Sequence, residues 1–290
     1  SRVKRKLRVG LIAVAQGADL YPNFNPKKKF RVNRLIQLGY QRSDHVVGVS
    51  GTMAQRARQL IGKTGTAVSV VHNGIDLPAW RAAQAAAAGM LAEEVTVARK
   101  FALEPGRFTL QVAGLRHVKR VDLAIGAVAK CRDIYGALGW KHVVAGEGKM
   151  LGACRSLAAE LGVADRVVFA GLCTGLDKHW LFGNAQFLMH TSDEEGLPFV
   201  LAEAAASGLP LLVSAIQPHT EFLGGAGCGR TFAAGDVADL AAALRGMLRD
   251  DLAPMRAAAL RRAEEFGSDR MLDSYERLCH EVVALAQSAS

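Results

Sequence analysis

Long apolar runs, aromatic residues and cysteines are all scarce in this sequence, and each shortage excludes something. No stretch approaches the roughly 20 consecutive apolar residues that a helix needs to cross a bilayer, and only 6% of the 290 residues are aromatic. The five cysteines are scattered, and their spacing matches neither a metal site nor a disulfide framework. We therefore expect a cytoplasmic protein of a reducing compartment, with a large core because half of its residues are apolar.

Acidic residues are nearly absent from the first 42 positions, where Asp19 is the one acid. The basic residues of this segment are Arg2, Lys4, Arg5, Lys6, Arg8, Lys27, Lys28, Lys29, Arg31, Arg34 and Arg42. Such a surface attracts polyanions or anionic membranes, so peripheral association with the inner face of the membrane is one expectation. A solvated basic face without a partner is an equal alternative. Nucleic acid is not expected, since aromatic residues rarely interrupt the charges and no nucleic-acid-binding motif is present.

From residue 107 onward, short apolar runs alternate with segments of helical spacing. This alternation predicts a parallel, doubly wound α/β sheet. The predicted strands are 108–113, 141–145, 167–170, 187–189 and 211–213, and the predicted helices are 122–131, 150–161, 178–182, 199–207, 237–248, 255–266 and 269–287. Residues 219–221 are expected in a loop.

A shorter α/β pattern occupies the first 76 residues, which end in the Asn73-Gly74 turn. Strands are predicted at 7–15, 44–50 and 68–71, and helices at 30–41, at 52–61 with Thr52 as the N-terminal cap, and at 78–100. The expected division of the chain is a first domain at 1–76, a linker helix at 77–106, a second domain at 107–268 and a C-terminal helix at 269–290.

Two glutamates eight positions apart dominate the stretch from His190 to Ser214. Glu195 lies in a glycine-containing loop after a predicted strand, where parallel sheets bind ligands and where helix N-terminal amides attract anions. Glu203 lies about one and a half turns into the next helix and can reach the same crevice. The alternative is that both are solvated surface acids, the usual fate of glutamate. Glu203 argues against it, because an acid in an alanine- and leucine-rich, mostly buried helix needs a partner.

These residues and their flanks resemble a known signature. The segments Glu195-Gly196-Leu197-Pro198, Glu203-Ala204 and Ala206-Ser207-Gly208-Leu209-Pro210 are similar, in register, to the Glu-x7-Glu signature of retaining nucleotide-sugar glycosyltransferases. The match is close to the "family four" group of these enzymes, the glycosyl transferases group 1. The resemblance implies the GT-B fold, in which two Rossmann-like, doubly wound parallel-sheet domains are joined and the last helix crosses back onto the first domain.

The first domain departs from the pattern of this family. Gln16 stands where these enzymes often carry a histidine, and glutamine can donate a hydrogen bond but cannot carry a proton. Only 76 residues precede the linker, whereas a Rossmann-like half usually has roughly 100 to 150. We therefore expect the first domain to be incomplete, the chain to be a fragment, and an apolar edge of the first sheet to be open.

Glycine-bearing loops follow the first three predicted strands of the second domain. Residues 114–120 begin with Gly114 and resemble the family's Gly-Arg…Lys-Gly phosphate motif, with Lys119 matching, Arg116 displaced and Arg120 in place of the usual glycine. Backbone amides there can cradle a diphosphate whose charge Lys119 or Arg116 neutralises. The later loops resemble the one beneath the sugar nucleotide, with Gly146 and Gly148, and the one that contacts the nucleobase, with Leu172.

The resemblance implies an enzyme that moves a sugar, with retained anomeric configuration, from a UDP- or GDP-linked donor to an acceptor. It places the chain in polysaccharide, lipopolysaccharide or glycolipid synthesis, with a lipid-linked or anionic acceptor that remains unidentified. The implied catalytic residues are Glu195, Lys119 and Arg116, and the implied donor-binding residues are Gly114, Gly146, Gly148, Leu172, Gly196, Leu197 and Glu203.

No metal and no cofactor are predicted, because in this family basic side chains and amides neutralise the leaving diphosphate and the nucleotide sugar is a substrate. A non-catalytic donor-domain fragment, or a pseudo-enzyme subunit that binds nucleotide sugar or a partner, is the alternative. A dinucleotide-dependent oxidoreductase is disfavoured, since no Gly-x-Gly-x-x-Gly follows a predicted strand.

Overall fold

The computed structural model describes residues 9–17, 20, 29–63 and 65–288. The chain divides into two compact units, which are described separately. The first unit contains residues 1–74, 195–198 and 266–290, and the second contains residues 75–194 and 199–265. Seven of the eleven basic residues in the first 42 positions, all those before position 29, lie outside the described residues.

Short strands and helices alternate through both units. The strands are β1 (Ile12–Ala15), β2 (His45–Gly48), β3 (Ala67–Val70), β4 (Phe108–Val112), β5 (Lys141–Ala145), β6 (Val167–Gly171), β7 (Leu188–His190), β8 (Leu211–Ser214) and β9 (Gly229–Phe232). The helices are α1 (Lys29–Gln41), α2 (Gly51–Ile61), α3 (Leu77–Ala88), α4 (Thr96–Phe101), α5 (Val121–Lys130), α6 (Arg132–Leu138), α7 (Leu151–Glu160), α8 (Gly175–Asn184), α9 (Phe199–Ala206), α10 (Gln217–Leu223), α11 (Val237–Met247), α12 (Ala253–Ala263) and α13 (Ser268–Ser288).

The first unit contains a parallel three-stranded sheet in the order β1-β2-β3. Its core joins the sheet to the C-terminal helix, because Leu278 and Val282 of α13 are buried together with Val47 and Val71. Among the described strands, β1 pairs with β2 alone. Because Leu278 and Val282 pack against the sheet, the C-terminal helix is part of this unit and covers its sheet.

Helix α2 begins one residue earlier than the sequence pattern predicts. The Ser50 hydroxyl accepts a hydrogen bond from the amide of Met53 at 3.3 Å, so Ser50 is the N-terminal cap. The prediction of Thr52 as the cap is wrong, because Thr52 already lies within the first helical turn and is buried. A serine with extended backbone, two positions earlier, caps the helix instead.

The second unit contains a parallel six-stranded sheet in the order β6-β5-β4-β7-β8-β9. From the central strand β4 the chain first builds outward through β5 and β6, and later outward on the other side through β7, β8 and β9. A buried apolar cluster packs α5, α7 and α11 against the sheet. The predicted α/β class with two parallel sheets is confirmed, and the direction of strand addition reverses between β4 and β7, a place where such sheets bind ligands.

The segment expected as one linker helix is broken into pieces and belongs to the second unit. Helix α3 ends at Gly89, a 3₁₀ turn follows at Ala92–Glu94, and α4 ends at Ala102 in the left-handed region with φ of 47°. Asp76 caps α3 by accepting a hydrogen bond from the amide of Ala79 at 2.9 Å. Glycine is a poor helix former, which explains the first break.

Three further elements differ from the sequence expectation. Helix α6 and strand β9 were not predicted, since α6 is short and contains Gly136, while β9 reads GRTF with a single apolar residue. Residues 219–221 form part of helix α10 rather than a loop. Proline in the first turn of α10 fits a helix start. Of the helices in the described ranges, none has the length and apolar character that crossing a bilayer requires.

Candidate functional site

Loops at the carboxyl ends of β4, β5, β6 and β7 form the candidate site of the second unit. These loops are residues 113–120, 146–149, 172–174 and 191–194. Because all four strands are parallel and adjacent, their loops emerge at the same edge of the sheet. The first and last of them flank the point where strand order reverses, so an open crevice is expected between them.

Glycines allow the backbones of the first three loops to touch. A Cβ atom on Gly146 would collide with the Ala113 carbonyl oxygen, and one on Gly148 would collide with the Leu115 carbonyl oxygen. The Leu115 amide donates to the Glu147 carbonyl at 2.8 Å, and the Gly146 amide donates to the Gly171 carbonyl at 2.7 Å. Gly146 also has φ of 145°, which other residues rarely adopt. The two predicted glycines are therefore required by close packing, whatever they bind.

The loop after β4 carries the predicted phosphate-binding cations. Gly114 and Arg116 are exposed, while Lys119 is half-buried at the end of a 3₁₀ turn. Within the described part of the chain, the Arg116 guanidinium makes no ion pair. Arg116 and Lys119 therefore lie at the same sheet edge, three residues apart in one short loop.

Residues after β7 fix the backbone around Lys119. The Thr191 hydroxyl lies 2.9 Å from the Lys119 carbonyl and 2.8 Å from the Arg120 carbonyl. The Asp193 amide donates to the Val118 carbonyl at 2.9 Å. Thr191 is itself buried and accepts a hydrogen bond from the Gln111 side chain at 2.9 Å. The two loops that flank the strand-order reversal are thus bound to each other directly, a link that the sequence did not predict.

Arg120 is the hub of an ion-pair cluster. Its guanidinium pairs with Asp122 at 3.0 Å and with Asp193 at 3.2 Å, and hydrogen bonding to Asp122, then to Asp193, raises the pKa of Arg120 above its usual value. Its backbone has φ of 46°, in the left-handed region that glycine adopts easily. The left-handed backbone is consistent with the glycine that the family usually carries at this position. The Arg120 side chain is held in ion pairs with Asp122 and Asp193 and is not a solvated surface charge.

Glu203 of α9 has a partner within the second unit. Its carboxylate accepts a hydrogen bond from the Lys178 ammonium of α8 at 2.7 Å, and the two side chains are only 16% and 27% exposed. The Lys178 ammonium also lies 5.2 Å from the centre of the Trp80 ring and 5.9 Å from that of Phe182. These aromatic faces attract a cation. Lys178 therefore supplies the partner that a partly buried acid on this helix requires.

The same face of α9 is fixed to α3. The Ser207 hydroxyl, one turn after Glu203, accepts hydrogen bonds from Trp80 and from Gln84, both at 2.9 Å. It donates to the Glu203 carbonyl, also at 2.9 Å. The orientation of Glu203 is thus set by three helices, α3, α8 and α9, which lie far apart in sequence.

The loop after β6 exposes an apolar side chain beside an inert thiol. Leu172, the predicted nucleobase contact, is 71% exposed. Burial raises the pKa of Cys173 to about 11, so the thiol stays neutral at neutral pH. The exposed Leu172 offers an apolar surface at the end of the loop, and the raised pKa disfavours Cys173 as a nucleophile.

Glu195, Gly196 and Leu197 belong to the first unit, apart from the other predicted site residues. A Cβ atom on Gly196 would collide with the Gln16 carbonyl oxygen, so this glycine packs against the backbone after β1. The Asn73 side chain donates to the carbonyl of Leu197 at 3.2 Å, and Leu197 is buried. Glu195 is half-buried. That Glu195 converges with Lys119 and Glu203 on one cleft stays a prediction.

Two buried histidines lie at the carboxyl ends of β7 and β8. His190 lies 3.3 Å from the Ser192 hydroxyl, and His219 lies 3.1 Å from the Ser214 hydroxyl, which in turn donates to the Ser192 carbonyl at 2.5 Å. The two rings are 5.1 Å apart in an edge-on arrangement. His219 was expected in a loop, whereas it lies in α10.

Two family models match the chain. The model described as "Glycosyl transferases group 1" matches residues 96–266, and the model described as "Glycosyltransferase Family 4" matches residues 1–78. The first alone covers more than half of the 290 residues.

Curated relatives are similar over most of this chain. It is 24% identical over 256 residues to the N-acetyl-alpha-D-glucosaminyl L-malate synthase of Bacillus anthracis, covering 87% of this chain and 63% of the relative. It is 30% identical over 216 residues to a glycogen synthase of Mycobacterium tuberculosis, covering 74% and 48%. The chain therefore spans about half to two thirds of the length of these relatives.

Solved structures share the fold at low identity. Anabaena Alr3699/HepE, solved in complex with UDP, aligns with a TM-score of 0.76 at 16% identity, covering 98% of this chain and 74% of that one. A Rickettsia africae glycosyltransferase aligns with a TM-score of 0.72 at 17% identity, covering 94% and 70%. Together with the two matching family models and the two parallel sheets, these similarities show that the chain belongs to the glycosyl transferases group 1 family, with the GT-B fold.

Proposed function

We propose that this chain binds a nucleoside diphosphate sugar in its second unit and takes part in transferring the sugar to an acceptor. Two packing features at the strand-order reversal carry the proposal. Glycine contacts join the loops after β4 and β5, and hydrogen bonds from Thr191 and Asp193 join the loop after β7 to the β4 loop, with Lys119 and Arg116 at the same edge. Parallel sheets bind nucleotides at such an edge. Family membership adds the chemistry of sugar transfer to this geometry.

In this proposal the diphosphate lies along residues 114–120. The loop amides cradle it, while Lys119 and Arg116 stabilise the negative charge that grows on the leaving group as the glycosidic bond breaks. Because Thr191 and Asp193 fix the carbonyls on either side of Lys119, the lysine is held in place before the donor arrives. A preorganised cation of this kind lowers the barrier more than one that must move into position.

Glu203 binds the ribose hydroxyls in this proposal, and Lys178 keeps its carboxylate oriented and paired. One carboxylate oxygen is taken by the Lys178 ammonium, which leaves the other to accept hydrogen bonds from the donor. Leu172 offers its exposed apolar surface to the nucleobase. Glu195, with the Gly196 and Leu197 amides, holds hydroxyls of the transferred sugar. No metal ion is needed for these contacts.

We further propose a UDP- or GDP-linked donor and retention at the anomeric carbon. Alr3699/HepE has been crystallised with UDP and with UDP-glucose, which makes UDP the first donor nucleotide to test. In front-face transfer, the bond from the anomeric carbon to the phosphate oxygen breaks and the acceptor oxygen bonds to that carbon on the same face. The acceptor's proton passes to the leaving phosphate oxygen, so no separate protein base is required.

The acceptor proposed is lipid-linked or anionic, in polysaccharide, lipopolysaccharide or glycolipid synthesis. The basic bias of the first 42 residues supports peripheral contact with an anionic membrane on the cytoplasmic side. Co-sedimentation with anionic vesicles at low salt tests this contact, because such binding is screened as salt is added. Failure to co-sediment would remove the membrane from the proposal.

Calorimetry with UDP and GDP, combined with a donor-hydrolysis assay, tests the proposed function directly. Micromolar binding of one nucleotide and slow hydrolysis of the matching sugar donor are the expected results. Binding without turnover would favour a nucleotide-binding subunit that is not catalytic. Gln16, in place of the histidine that this family often carries, favours that second function. Absence of binding to either nucleotide would contradict both.

Substitution of Lys119 separates catalysis from binding. Lys119→Ala is expected to lower kcat for sugar transfer about 100-fold, with a smaller change in KM for the donor, because the lysine acts mainly on developing charge. Lys130→Ala is the matched control, since Lys130 is an exposed lysine on α5 outside the four loops. Unchanged kinetics in both Lys119→Ala and Glu203→Ala would defeat the assignment of the site.

A further inference from the structure

We propose that Arg120 is a positioning residue that pairs with Asp122 and Asp193, offsets one of their two negative charges, and so makes the loop after β4 fit to receive a diphosphate. The inference rests on the proposed function, because it concerns the same site. It adds a residue that the family pattern does not supply, since a glycine is usual at this position. Arg120 does not bind the substrate in this proposal; it acts through two carboxylates and through the backbone beside Lys119.

Two acidic side chains lie close to the predicted phosphate-binding loop. Asp122 is in the first turn of α5, two residues after Arg120, and Asp193 is in the loop after β7. Both are about half exposed, at 46% and 40%. Unpaired, each would leave a negative charge beside the loops that flank the strand-order reversal. An anionic ligand there would be repelled, and the repulsion would add to that between its own phosphates.

The Arg120 guanidinium contacts both carboxylates at once and offsets one of their two negative charges. Its Nε lies 3.1 and 3.2 Å from the two oxygens of Asp122, its Nη2 lies 3.0 Å from Asp122, and its Nη1 lies 3.2 and 3.3 Å from the oxygens of Asp193. A planar guanidinium can donate to two carboxylates simultaneously, which a lysine ammonium matches poorly. The contact also links the loop after β4 to the loop after β7. One side chain therefore affects both the local charge and the distance between these two loops.

The backbone of Arg120 indicates that the side chain is retained against a conformational cost. Its φ of 46° places a residue with a Cβ atom where glycine would be unstrained. The Arg120 carbonyl is fixed by the Thr191 hydroxyl at 2.8 Å, which holds this conformation and the neighbouring Lys119 with it. Ion pairing of the guanidinium with the two aspartates offsets the conformational cost of this backbone.

An effect of Arg120 on charge and a purely structural effect of Arg120 give different results when the charge of the ligand is varied. The measurement compares the dissociation constant of the nucleoside diphosphate that the full chain binds, UDP or GDP, with that of the matching uncharged nucleoside. Arg120→Gly relieves the backbone strain but exposes both carboxylates. It is expected to weaken diphosphate binding on the order of tenfold at low salt, and to leave nucleoside binding within about twofold. The loss should shrink as salt is added.

A combined variant tests the charge explanation independently of folding. Asp122→Asn and Asp193→Asn introduced into Arg120→Gly remove the exposed charges and should restore diphosphate affinity to within about threefold of the wild type. Arg245→Gln is the matched control, because Arg245 forms a comparable ion pair with Asp133 on the surface of α6 and α11, outside the four loops. It should leave both dissociation constants unchanged.

Three results would overturn the inference alone while the wild-type chain still binds the diphosphate. These are unchanged diphosphate affinity in Arg120→Gly, equal weakening of diphosphate and nucleoside, or failure of the asparagine substitutions to restore affinity. Absence of any nucleotide binding by the wild-type chain would overturn the proposed function, and this inference with it. The two failures are therefore distinguishable.

Discussion

Polar side chains near the surface of the second unit are arranged differently from those in its interior. Near the surface, charges of opposite sign are paired: Lys178 with Glu203, and Arg120 with its two aspartates. In the interior, Thr109 and His142 lie side by side on β4 and β5. The Thr109 hydroxyl is 2.9 Å from His142 Nδ1 and 2.7 Å from the Tyr135 hydroxyl, and all three side chains are fully buried.

The interior cluster remains uncharged. Burial lowers the pKa of His142 to about 3, so the ring is neutral at any physiological pH, and burial raises the pKa of Tyr135 as well. His142 Nε2 has no hydrogen-bond partner within the described residues. Ionising a group there would require a counter-charge that the interior does not hold. The interior cluster is therefore neutral, whereas the paired charges lie near the surface, where a charged ligand can also bind.

The largest expected effect comes from breaking the interior cluster. Thr109→Val removes the hydroxyl shared by Tyr135 and His142, and leaves two buried polar groups without that partner. The free energy of unfolding should fall by about 3 kcal/mol, as measured by urea denaturation. Thr231→Val on β9 is the matched control, because Thr231 is exposed and should change stability by less than about 0.5 kcal/mol. Equal effects of both substitutions would contradict the comparison.

Removing one member of the surface pair should cost less. Lys178→Met keeps an apolar chain over Trp80 and Phe182 but leaves the Glu203 carboxylate, 16% exposed and unable to reach water freely, without its cation. The free energy of unfolding should fall by about 2 kcal/mol. Nucleotide affinity should fall with it if Glu203 binds the ribose. An exposed lysine on α5, changed as Lys130→Met, should leave both quantities nearly unchanged.

A third effect, about as large as the second but spread over two pH units, appears in the pH dependence of stability. Below pH 6.5, the usual value for histidine, the unfolded chain takes up a proton at position 142, while the folded chain does not until about pH 3. Unfolding is therefore favoured as pH falls through this window, by about 1.4 kcal/mol per pH unit for this residue. Between pH 7 and pH 5, the free energy of unfolding should fall by about 2 kcal/mol less in His142→Gln than in the wild type. Parallel curves for the two proteins would contradict a neutral, buried His142.

The regular elements could be predicted because their signals are local. Strands β4 (FTLQV) and β5 (KHVVA) are short segments with three apolar residues each, and the parallel alternation follows from their spacing to the helices between them. Strand β9 was missed because its short GRTF run is apolar only at Phe232 and pairs with β8 through tertiary context. Helix α6 was missed because the chain continues into it directly from α5, without a turn signal.

Candidate site residues could be named from the sequence, but their partners could not. The Glu203 partner lies 25 positions away on another helix, and the Arg120 partner Asp193 lies 73 positions away on another loop. No periodicity connects such pairs, because folding and not spacing brings them together. The left-handed backbone at Arg120 was hidden for a related reason, since it is expected of glycine and not of arginine.

Hydrogen–deuterium exchange with and without the bound nucleoside diphosphate tests the central claim most directly. The account predicts slower exchange on binding in residues 113–120, 146–149, 172–174 and 191–194, the loops at the carboxyl edge of the six-stranded sheet. Peptides from the opposite edge of that sheet, such as the segment before β5, should be unaffected. Protection confined to the opposite edge, or no protection in the loop that carries Lys119 while the nucleotide is bound, would contradict it.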